Sequence, residues 1–206
     1  MKILIGVPCM ETIPVNTVES LLAAQKTKRC QIDVRLEPLS LVYIARERLV
    51  EIAIKGGYDY LMFLDSDMVF TPGLIPRLLD ARKDIVSGLA FMRKPPYLPC
   101  VYKKMRIGEA GEKQEELLTD FKAGLVKVEG FGLACCLMKV DALKKLKSRN
   151  TNLFWPVVGY GEDLSFCIKA RKEKLELWCD TNAKVGHIGQ TVITQAEYDA
   201  WNEVAE

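Results

Sequence analysis

Two aspartates, separated by one residue, directly follow an unbroken apolar segment. Residues 60–64 are apolar or aromatic, and Asp65-Ser66-Asp67 comes next. Such a run is typical of a strand buried on both faces, as in a parallel sheet. Ligands of open α/β sheets bind outside the carboxyl ends of the strands. Carboxylates suit Mg²⁺ or Mn²⁺, which bind together with substrate phosphates. The pair is therefore a candidate metal site, although an ordinary polar turn gives the same pattern.

A second acidic pair lies late in the chain. Glu162 and Asp163 follow a glycine-rich, aromatic segment that includes Trp155 and Tyr160. A carboxylate at the mouth of such a loop could accept a proton from a substrate hydroxyl. The two aromatic rings would either pack or stack on a sugar. Acidic residues also stabilise helix N-termini, so helix capping is an equally good interpretation of the pair.

Two basic or imidazole side chains complete the set of candidates. His187, the only histidine, lies in a glycine-flanked segment, and imidazole readily completes a carboxylate metal site. Arg46 lies early in a predicted helix, where a cation opposes the helix dipole. A bound phosphate would offset that effect. The alternative is a surface arginine that pairs with Glu47 or Glu51.

Strands and helices alternate in the pattern that would position these residues. The order β-α-β-α-β-α-β predicts a right-handed, largely parallel sheet over the first part of the chain. In that part we predict strands at 2–7, 32–36, 60–64 and 85–91, and helices at 15–26, 42–55 and 71–82. Beyond it we predict strands at 125–128, 134–138 and 175–179, helices at 141–147 and 163–174, and a final helix opened by the capping box Thr194–Glu197. The polar stretch 104–116 predicts a mobile segment.

Composition limits the classes of function. The 206 residues, 49% hydrophobic and 27% charged, predict one globular domain. A net charge of +2 without a basic block gives no indication of nucleic-acid binding. No apolar stretch approaches the roughly 20 residues of a membrane span. Seven cysteines without a Cys-x-x-Cys pair indicate reduced thiols, and we expect a cytoplasmic protein without a transmembrane segment.

Together, these motifs resemble the GT-A fold glycosyltransferases, particularly the family 2-like enzymes. The matching features are a first strand that ends at Pro8, Ala45-Arg46 in a helix, Asp65-Ser66-Asp67, Gly130-Phe131-Gly132, Gly161-Glu162-Asp163 and Gly186-His187, in that order. The match covers residues 2–190. It implies a GT-A, Rossmann-like α/β fold with a mostly parallel sheet flanked by helices and a small acceptor-side portion. We expect one domain over 1–206, with a nucleotide-binding half at about 1–92 and an acceptor-side half at about 93–206.

The resemblance also implies residue roles on the donor side. Asp65 would contact the donor ribose and the metal, Asp67 would bind the metal directly, and His187 would be a further metal ligand. Arg46 would lie near the donor nucleotide. The residues expected to contact the donor are Pro8, Arg46, Asp65, Ser66, Asp67 and Gly132. The expected cofactor is Mn²⁺ or Mg²⁺, and the expected donor is a nucleotide-diphosphate sugar.

On the acceptor side, Asp163 would be the catalytic base and Glu162 would help to bind the acceptor. The resemblance leaves open whether the acceptor is a carbohydrate, a protein or a small molecule. Glu47 is a departure, because family members often carry asparagine after the arginine that Arg46 matches.

Two other functions fit parts of the pattern. The segment from Leu64 to Val69 also resembles the nucleophile motif of haloacid-dehalogenase-like phosphatases, although that motif normally lies on the first strand. A catalytically inactive nucleotide-sugar binding module is the other alternative. The sequence does not favour a P-loop NTPase, because no Gly-x-x-x-x-Gly-Lys-Ser/Thr sequence occurs.

Overall fold

Strands and helices alternate through most of the first half of the chain. A computed structural model describes residues 1–107, 113–122, 124–157, 159–189 and 192–205. The strands are β1 Lys2–Cys9, β2 Gln31–Pro38, β3 Tyr60–Leu64, β4 Met68–Val69, β5 Ile85–Leu89, β6 Val101–Ile107, β7 Lys113–Leu117, β8 Leu125–Val128, β9 Gly130–Phe131, β10 Cys135–Lys139, β11 Leu177–Lys184, β12 Gly186–Ile188 and β13 Val192–Ile193. The helices are α1 Val15–Gln25, α2 Val42–Lys55, α3 Leu74–Asp80, α4 Val140–Lys147, α5 Glu162–Lys172 and α6 Gln195–Ala205.

A central sheet of seven strands carries the fold. Its order is β2-β1-β3-β10-β5-β11-β8. The strands β1, β2, β3, β5 and β11 run in one direction, whereas β10 and β8 run in the other. The molecule is thus a mixed α/β protein with a mostly parallel central sheet. The carboxyl ends of β1, β2 and β3 lie at one edge, next to each other.

Helices cover both faces of this sheet, because the central strands bury both sets of side chains. On β3, Leu61 and Phe63 belong to one core cluster and Met62 and Leu64 to the other, and all four are 0% exposed. The first cluster is completed by Leu49 of α2, Leu143 of α4 and Phe166 of α5. The second includes Leu21 of α1 and Leu78 of α3. The apolar run that precedes Asp65 therefore forms the centre of a three-layer core, as predicted.

Two small sheets lie beside the central one. In the first, β12 lies between β13 and β4, and the register places His187 opposite Met68. The amide of Ile188 donates to the carbonyl of Asp67 at 2.8 Å, so this sheet fastens the His187 strand to the segment after β3. In the second, β6 lies between β7 and β9.

Most of the predicted elements are confirmed. The helix 42–55 and the strand 60–64 have the predicted bounds, and Thr194 and Glu197 form the predicted capping box before α6. The predicted, largely parallel sheet is confirmed; within it, β10 enters between β3 and β5 and is antiparallel to both. The mobile segment predicted at 104–116 is wrong where it is described: β6 and β7 pair there, and 108–112 lie outside the described residues. Within the described residues, no helix is long and apolar enough to cross a membrane.

A close backbone contact in β5 gives a test of the packing. A Cβ atom on Gly88 would lie 2.7 Å from the carbonyl oxygen of Ala183 in β11 and 3.0 Å from the Cys135 sulfur. We expect Gly88→Ala to lower the free energy of unfolding by about 1–3 kcal/mol, as overpacked core positions do. The measurement is urea denaturation followed by circular dichroism.

Gly73→Ala is the matched control. A Cβ atom there would have only Thr71 Oγ1 nearby, at 3.9 Å, and the backbone φ is −71°. We expect a change within about 0.5 kcal/mol. Equal denaturation midpoints for both variants would contradict the close packing of β5 on β11.

Candidate active site

A cavity of about 610 Å³ opens at the carboxyl ends of β1, β2 and β3. This volume is typical of small-molecule sites, which span roughly 300–1,000 Å³. Its lining residues are Pro8, Cys9, Met10, Leu39, Ser40, Leu41, Val42, Arg46, Asp65, Ser66, Asp67 and Glu162. Six of the predicted site residues are therefore brought together here: Pro8, Arg46, Asp65, Ser66, Asp67 and Glu162. The lining combines apolar side chains with the charged groups of Arg46, Asp65, Asp67 and Glu162.

Asp65 is fixed at the end of β3 by contacts to its backbone and its side chain. Its amide donates to the Ala134 carbonyl at 3.0 Å. Its Oδ1 accepts a hydrogen bond from Arg46 Nη2 at 2.8 Å. The carboxylate is 31% exposed, so it remains open to the cavity while one oxygen is held.

Arg46 is buried in the wall of the cavity. Its side chain is only 2% exposed, and its Nε lies 3.7 Å from Glu162 Oε1. The guanidinium also lies over the Phe63 ring, 5.0 Å from the ring centroid. The alternative of a surface arginine paired with Glu47 or Glu51 is wrong, because Glu47 instead accepts from the amide of Phe154. Nε and Nη1 are buried and have no hydrogen-bond partner among the described residues.

Asp67 lies between two basic groups. Its Oδ2 is 2.7 Å from Arg93 Nη1 and 3.4 Å from His187 Nε2. His187 Nδ1 is 2.8 Å from the Phe91 carbonyl oxygen, which can only accept, so Nδ1 carries a proton. Burial opposes the charge on both groups, but their partners outweigh it. His187 and Arg93 hold the pKa of Asp67 below its usual range, and Asp67 with the Phe91 carbonyl raises the pKa of His187.

These contacts bear on the predicted metal site. Among the described residues, no three His, Cys, Asp or Glu side chains lie close enough together to hold a metal ion. Asp65, Asp67 and His187 are thus not a ready three-ligand set. Asp67 and His187 Nε2 nevertheless converge on the same point. Mg²⁺ and similar ions often take only one or two protein carboxylates, with substrate phosphates and waters as the other ligands, so this donor set fits a metal that arrives with a diphosphate.

Asp163 lies beyond Glu162, in the first turn of α5, and does not line the cavity. Its Oδ1 accepts the Leu164 amide at 2.7 Å. Burial, with the nearby charges of Glu162 and Asp65, raises the pKa of Asp163 to about 6, although the Leu164 amide and Arg46 act in the opposite direction. A carboxylate with this pKa is ionised at neutral pH and is a stronger base than an ordinary aspartate.

Gly132 faces Asp163 rather than the cavity. A Cβ atom on Gly132 would lie 3.5 Å from Asp163 Oδ2 and 3.4 Å from Cys100 Cβ. The Gly132 amide donates to the Cys100 carbonyl at 2.8 Å, which holds the two segments together. The absence of a side chain at Gly132 leaves a space beside the Asp163 carboxylate. The contact of Gly132 with the donor nucleotide remains a prediction.

The two aromatic residues of the loop before α5 have different surroundings. Tyr160 is 5% exposed and packs with Met105 and Leu164, so it is a core residue. Trp155 is 51% exposed, and its ring meets that of Tyr43 edge to face with centroids 5.6 Å apart. Of the two, Trp155 alone presents a free ring face to a ligand.

Sequence reasoning missed Arg93 and Cys100. Arg93 follows β5, whose carboxyl end lies at the same edge as those of β1 and β3, so the rule that located Asp65 could also have found it. Cys100 carries no such signal, because only the tertiary fold places it beside Gly132. Burial and the charges of Asp163 and Asp65 raise the pKa of Cys100 to about 12, so it is an unreactive thiol.

Comparison with known proteins supports the class of fold. No family model and no curated protein matches the chain. Among solved structures, the chain is similar to the crystal structure of A197 from STIV, with a TM-score of 0.62 and 20% sequence identity. The match covers 91% of this chain and 86% of A197. At this level of identity the likeness concerns the fold alone.

The raised pKa of Asp163 predicts a pH-dependent effect on stability. The folded pKa is about 6, against about 3.9 in an unfolded chain. The folded state therefore binds more protons between these values, and stability falls as the pH rises from about 4 to 6. Asp163→Asn removes this effect. At pH 7.5 we expect the variant to unfold at a higher denaturant concentration than the parent. Its free energy of unfolding should be larger by at most about 3 kcal/mol, at 1.36 kcal/mol per pKa unit.

The control for this measurement is Asp141→Asn. Asp141 also lies in the first turn of its helix, but its side chain is 89% exposed. It should leave stability nearly unchanged at both pH values. The stability difference between the parent and Asp163→Asn should change between pH 4 and pH 7.5. If that difference is the same at both pH values, the pKa of Asp163 is not raised in the folded protein.

Proposed function

We propose that the chain is a metal-dependent glycosyltransferase of the GT-A type, which moves a sugar from a nucleotide-diphosphate sugar to an acceptor hydroxyl. The observation that carries the proposal is that Asp65, Asp67 and Glu162 line one cavity, with Asp163 next to Glu162 behind its wall. Asp65 and Asp67 lie at the end of β3, Glu162 and Asp163 begin α5, and Arg46 lies between the pairs. In this proposal the first pair would hold the metal diphosphate, and the second would bind and deprotonate the acceptor.

The donor would lie along the cavity. Its nucleoside would occupy the apolar end near Pro8 and Leu39, where exposed apolar side chains offer a surface for a base. Its diphosphate would reach Asp67 and His187, which would hold the Mn²⁺ or Mg²⁺. When the bond between the anomeric carbon and the diphosphate oxygen breaks, negative charge grows on the diphosphate. A bound divalent cation would stabilise that charge, as metal ions do in phosphate chemistry.

Asp163 would remove the proton from the acceptor hydroxyl as its oxygen bonds to the anomeric carbon. The pKa of about 6 suits this role, because the group is ionised at neutral pH and still accepts a proton readily. The space left by Gly132 would admit the hydroxyl. Glu162 would orient the acceptor, and the exposed face of Trp155 offers a platform for a sugar ring. This assignment requires inversion at the anomeric carbon.

The two alternatives predict different products. As a phosphatase nucleophile, Asp65 would attack phosphorus with Oδ2, since Arg46 holds Oδ1. An inactive module would have no use for a buried carboxylate of raised pKa. Incubation with a panel of nucleotide sugars and Mn²⁺ distinguishes the three functions. Nucleoside diphosphate release indicates the transferase, phosphate release from a phosphomonoester the phosphatase, and binding without turnover the module.

The panel is first screened by thermal shift, which also identifies the nucleobase of the donor. A ligand at 100 times its Kd stabilises a protein by about 2.7 kcal/mol, so a cognate donor should raise the midpoint clearly. The stabilisation should require Mn²⁺ or Mg²⁺. If no nucleotide sugar or nucleoside diphosphate stabilises the protein, the proposed function is wrong.

Asp67→Asn and His187→Ala test the metal ligands. Each should weaken Mn²⁺-dependent binding of the nucleoside diphosphate found in the screen by about tenfold or more, because each removes one of two protein ligands. Binding is measured by isothermal titration with and without Mn²⁺. Glu19→Gln, an exposed acidic residue of α1, serves as the control. A metal dependence that is the same in parent, Asp67→Asn and His187→Ala would reject this site.

Asp163→Asn tests the base. Transfer should fall about 10²-fold or more, whereas the donor Kd should stay close to that of the parent. In the parent, transfer should rise with pH up to about 6, where Asp163 ionises, and then level off. NMR of the product anomer checks inversion. Near-normal transfer by Asp163→Asn, or retention at the anomeric carbon, would leave helix capping as the role of this residue.

A further inference from the structure

The contact between Arg93 and Asp67 has no counterpart in the roles assigned so far. Arg93 Nη1 lies 2.7 Å from Asp67 Oδ2, the oxygen that also faces His187 Nε2. The Arg93 side chain is 55% exposed, and Asp67 is the only partner shown for its guanidinium among the described residues. The Arg93 guanidinium therefore neutralises Asp67, which lines the cavity, and it belongs to a largely solvent-exposed side chain.

A metal ion on Asp67 would conflict with this position. Mn²⁺ or Mg²⁺ bonded to Oδ2 at about 2.1 Å would lie roughly 4 Å from a guanidinium nitrogen that contacts the same oxygen. Two positive groups this close repel each other, and a partly buried site screens the repulsion less than bulk water does. The ion and Arg93 thus compete for Asp67. A diphosphate removes the conflict, because it supplies negative charge to both cations.

We propose that Arg93 occupies the cation position at Asp67 in the free protein and moves to the diphosphate when the metal and the nucleotide bind. This inference rests on the proposed function. A guanidinium matches the geometry of phosphate oxygens and is always charged, so it can transfer from a carboxylate to a phosphate without a proton change. In this scheme Arg93 makes metal binding depend on the diphosphate and then stabilises the leaving group.

The test uses Mn²⁺ alone and inorganic pyrophosphate as probes. Free Mn²⁺ is measured by electron paramagnetic resonance, and pyrophosphate binding at saturating Mn²⁺ by isothermal titration. Arg93→Gln should bind Mn²⁺ alone about tenfold more tightly than the parent, and should bind pyrophosphate about tenfold more weakly, a size usual for coupling between two ligands. The two changes have opposite signs, which loss of folding cannot produce.

Lys94→Gln is the matched control. Lys94 follows Arg93 in the chain, is exposed, and forms no ion pair with any described residue. Its substitution by glutamine removes one positive charge, as Arg93→Gln does. It reports the general effect of one lost positive charge near the site. Asp67→Asn in the same assays establishes whether the bound Mn²⁺ uses Asp67.

The outcomes separate this inference from the proposed function. If Mn²⁺ and pyrophosphate bind in an Asp67-dependent way but Arg93→Gln behaves like Lys94→Gln, the inference is wrong and the metal site remains. If Mn²⁺ does not support pyrophosphate binding, or Asp67→Asn leaves that binding unchanged, the metal site of the proposed function is wrong and the inference fails with it. Tighter binding of Mn²⁺ and weaker binding of pyrophosphate in Arg93→Gln, but not in Lys94→Gln, would support both the inference and the metal site.

Discussion

A buried guanidinium is the constraint around which the cavity is built. The Arg46 side chain is 2% exposed and must be balanced by opposite charge, because a buried unpaired ion is strongly destabilising. Asp65, from the end of β3, and Glu162, from the start of α5, supply that charge. Arg46 itself comes from α2, so one side chain fixes the relative positions of three elements. The cavity wall is therefore held together by ion pairs where Asp65 and Glu162 lie.

The groups around this cavity shift the pKa values of Asp67 and Asp163 in opposite directions. Asp67 faces Arg93 and His187, which keep it ionised, whereas Asp163 faces Glu162 and Asp65 in a buried setting, which raises its pKa to about 6. Groups whose surroundings drive their pKa values apart are suited to different tasks at one pH. A permanently charged carboxylate suits cations, and a more basic one suits proton transfer. The difference in pKa follows from the burial of Asp163 and from the charges next to each residue, since both residues are aspartates at the ends of regular elements.

Local patterns predicted the elements better than their arrangement. The apolar run of β3 and the one-sided helix α2 were predicted with their observed bounds, because each carries a periodicity set by its own neighbours. The direction of β10 was not predictable, since a buried strand has the same apolar run whether it is parallel or antiparallel to its neighbours. The alignment of Arg46, Asp65 and Asp67 at one edge followed from the rule on strand ends. Burial of Arg46 and the position of Cys100 did not, because both depend on contacts between residues distant in the chain.

The antiparallel insertion of β10 also determines how the chain can fold. Residues 1–92 form β1 to β5, yet β3 and β5 do not touch: β10, more than forty residues later, fills the place between them. A fragment that ended after β5 would leave one edge of β3 and both edges of β5 without a partner. Unpaired edges of this kind promote aggregation. Residues 1–92 and the later part of the chain are thus interleaved in one sheet. Such long-range pairing is expected to make folding slow, with the central sheet completed only after most of the chain has been synthesised.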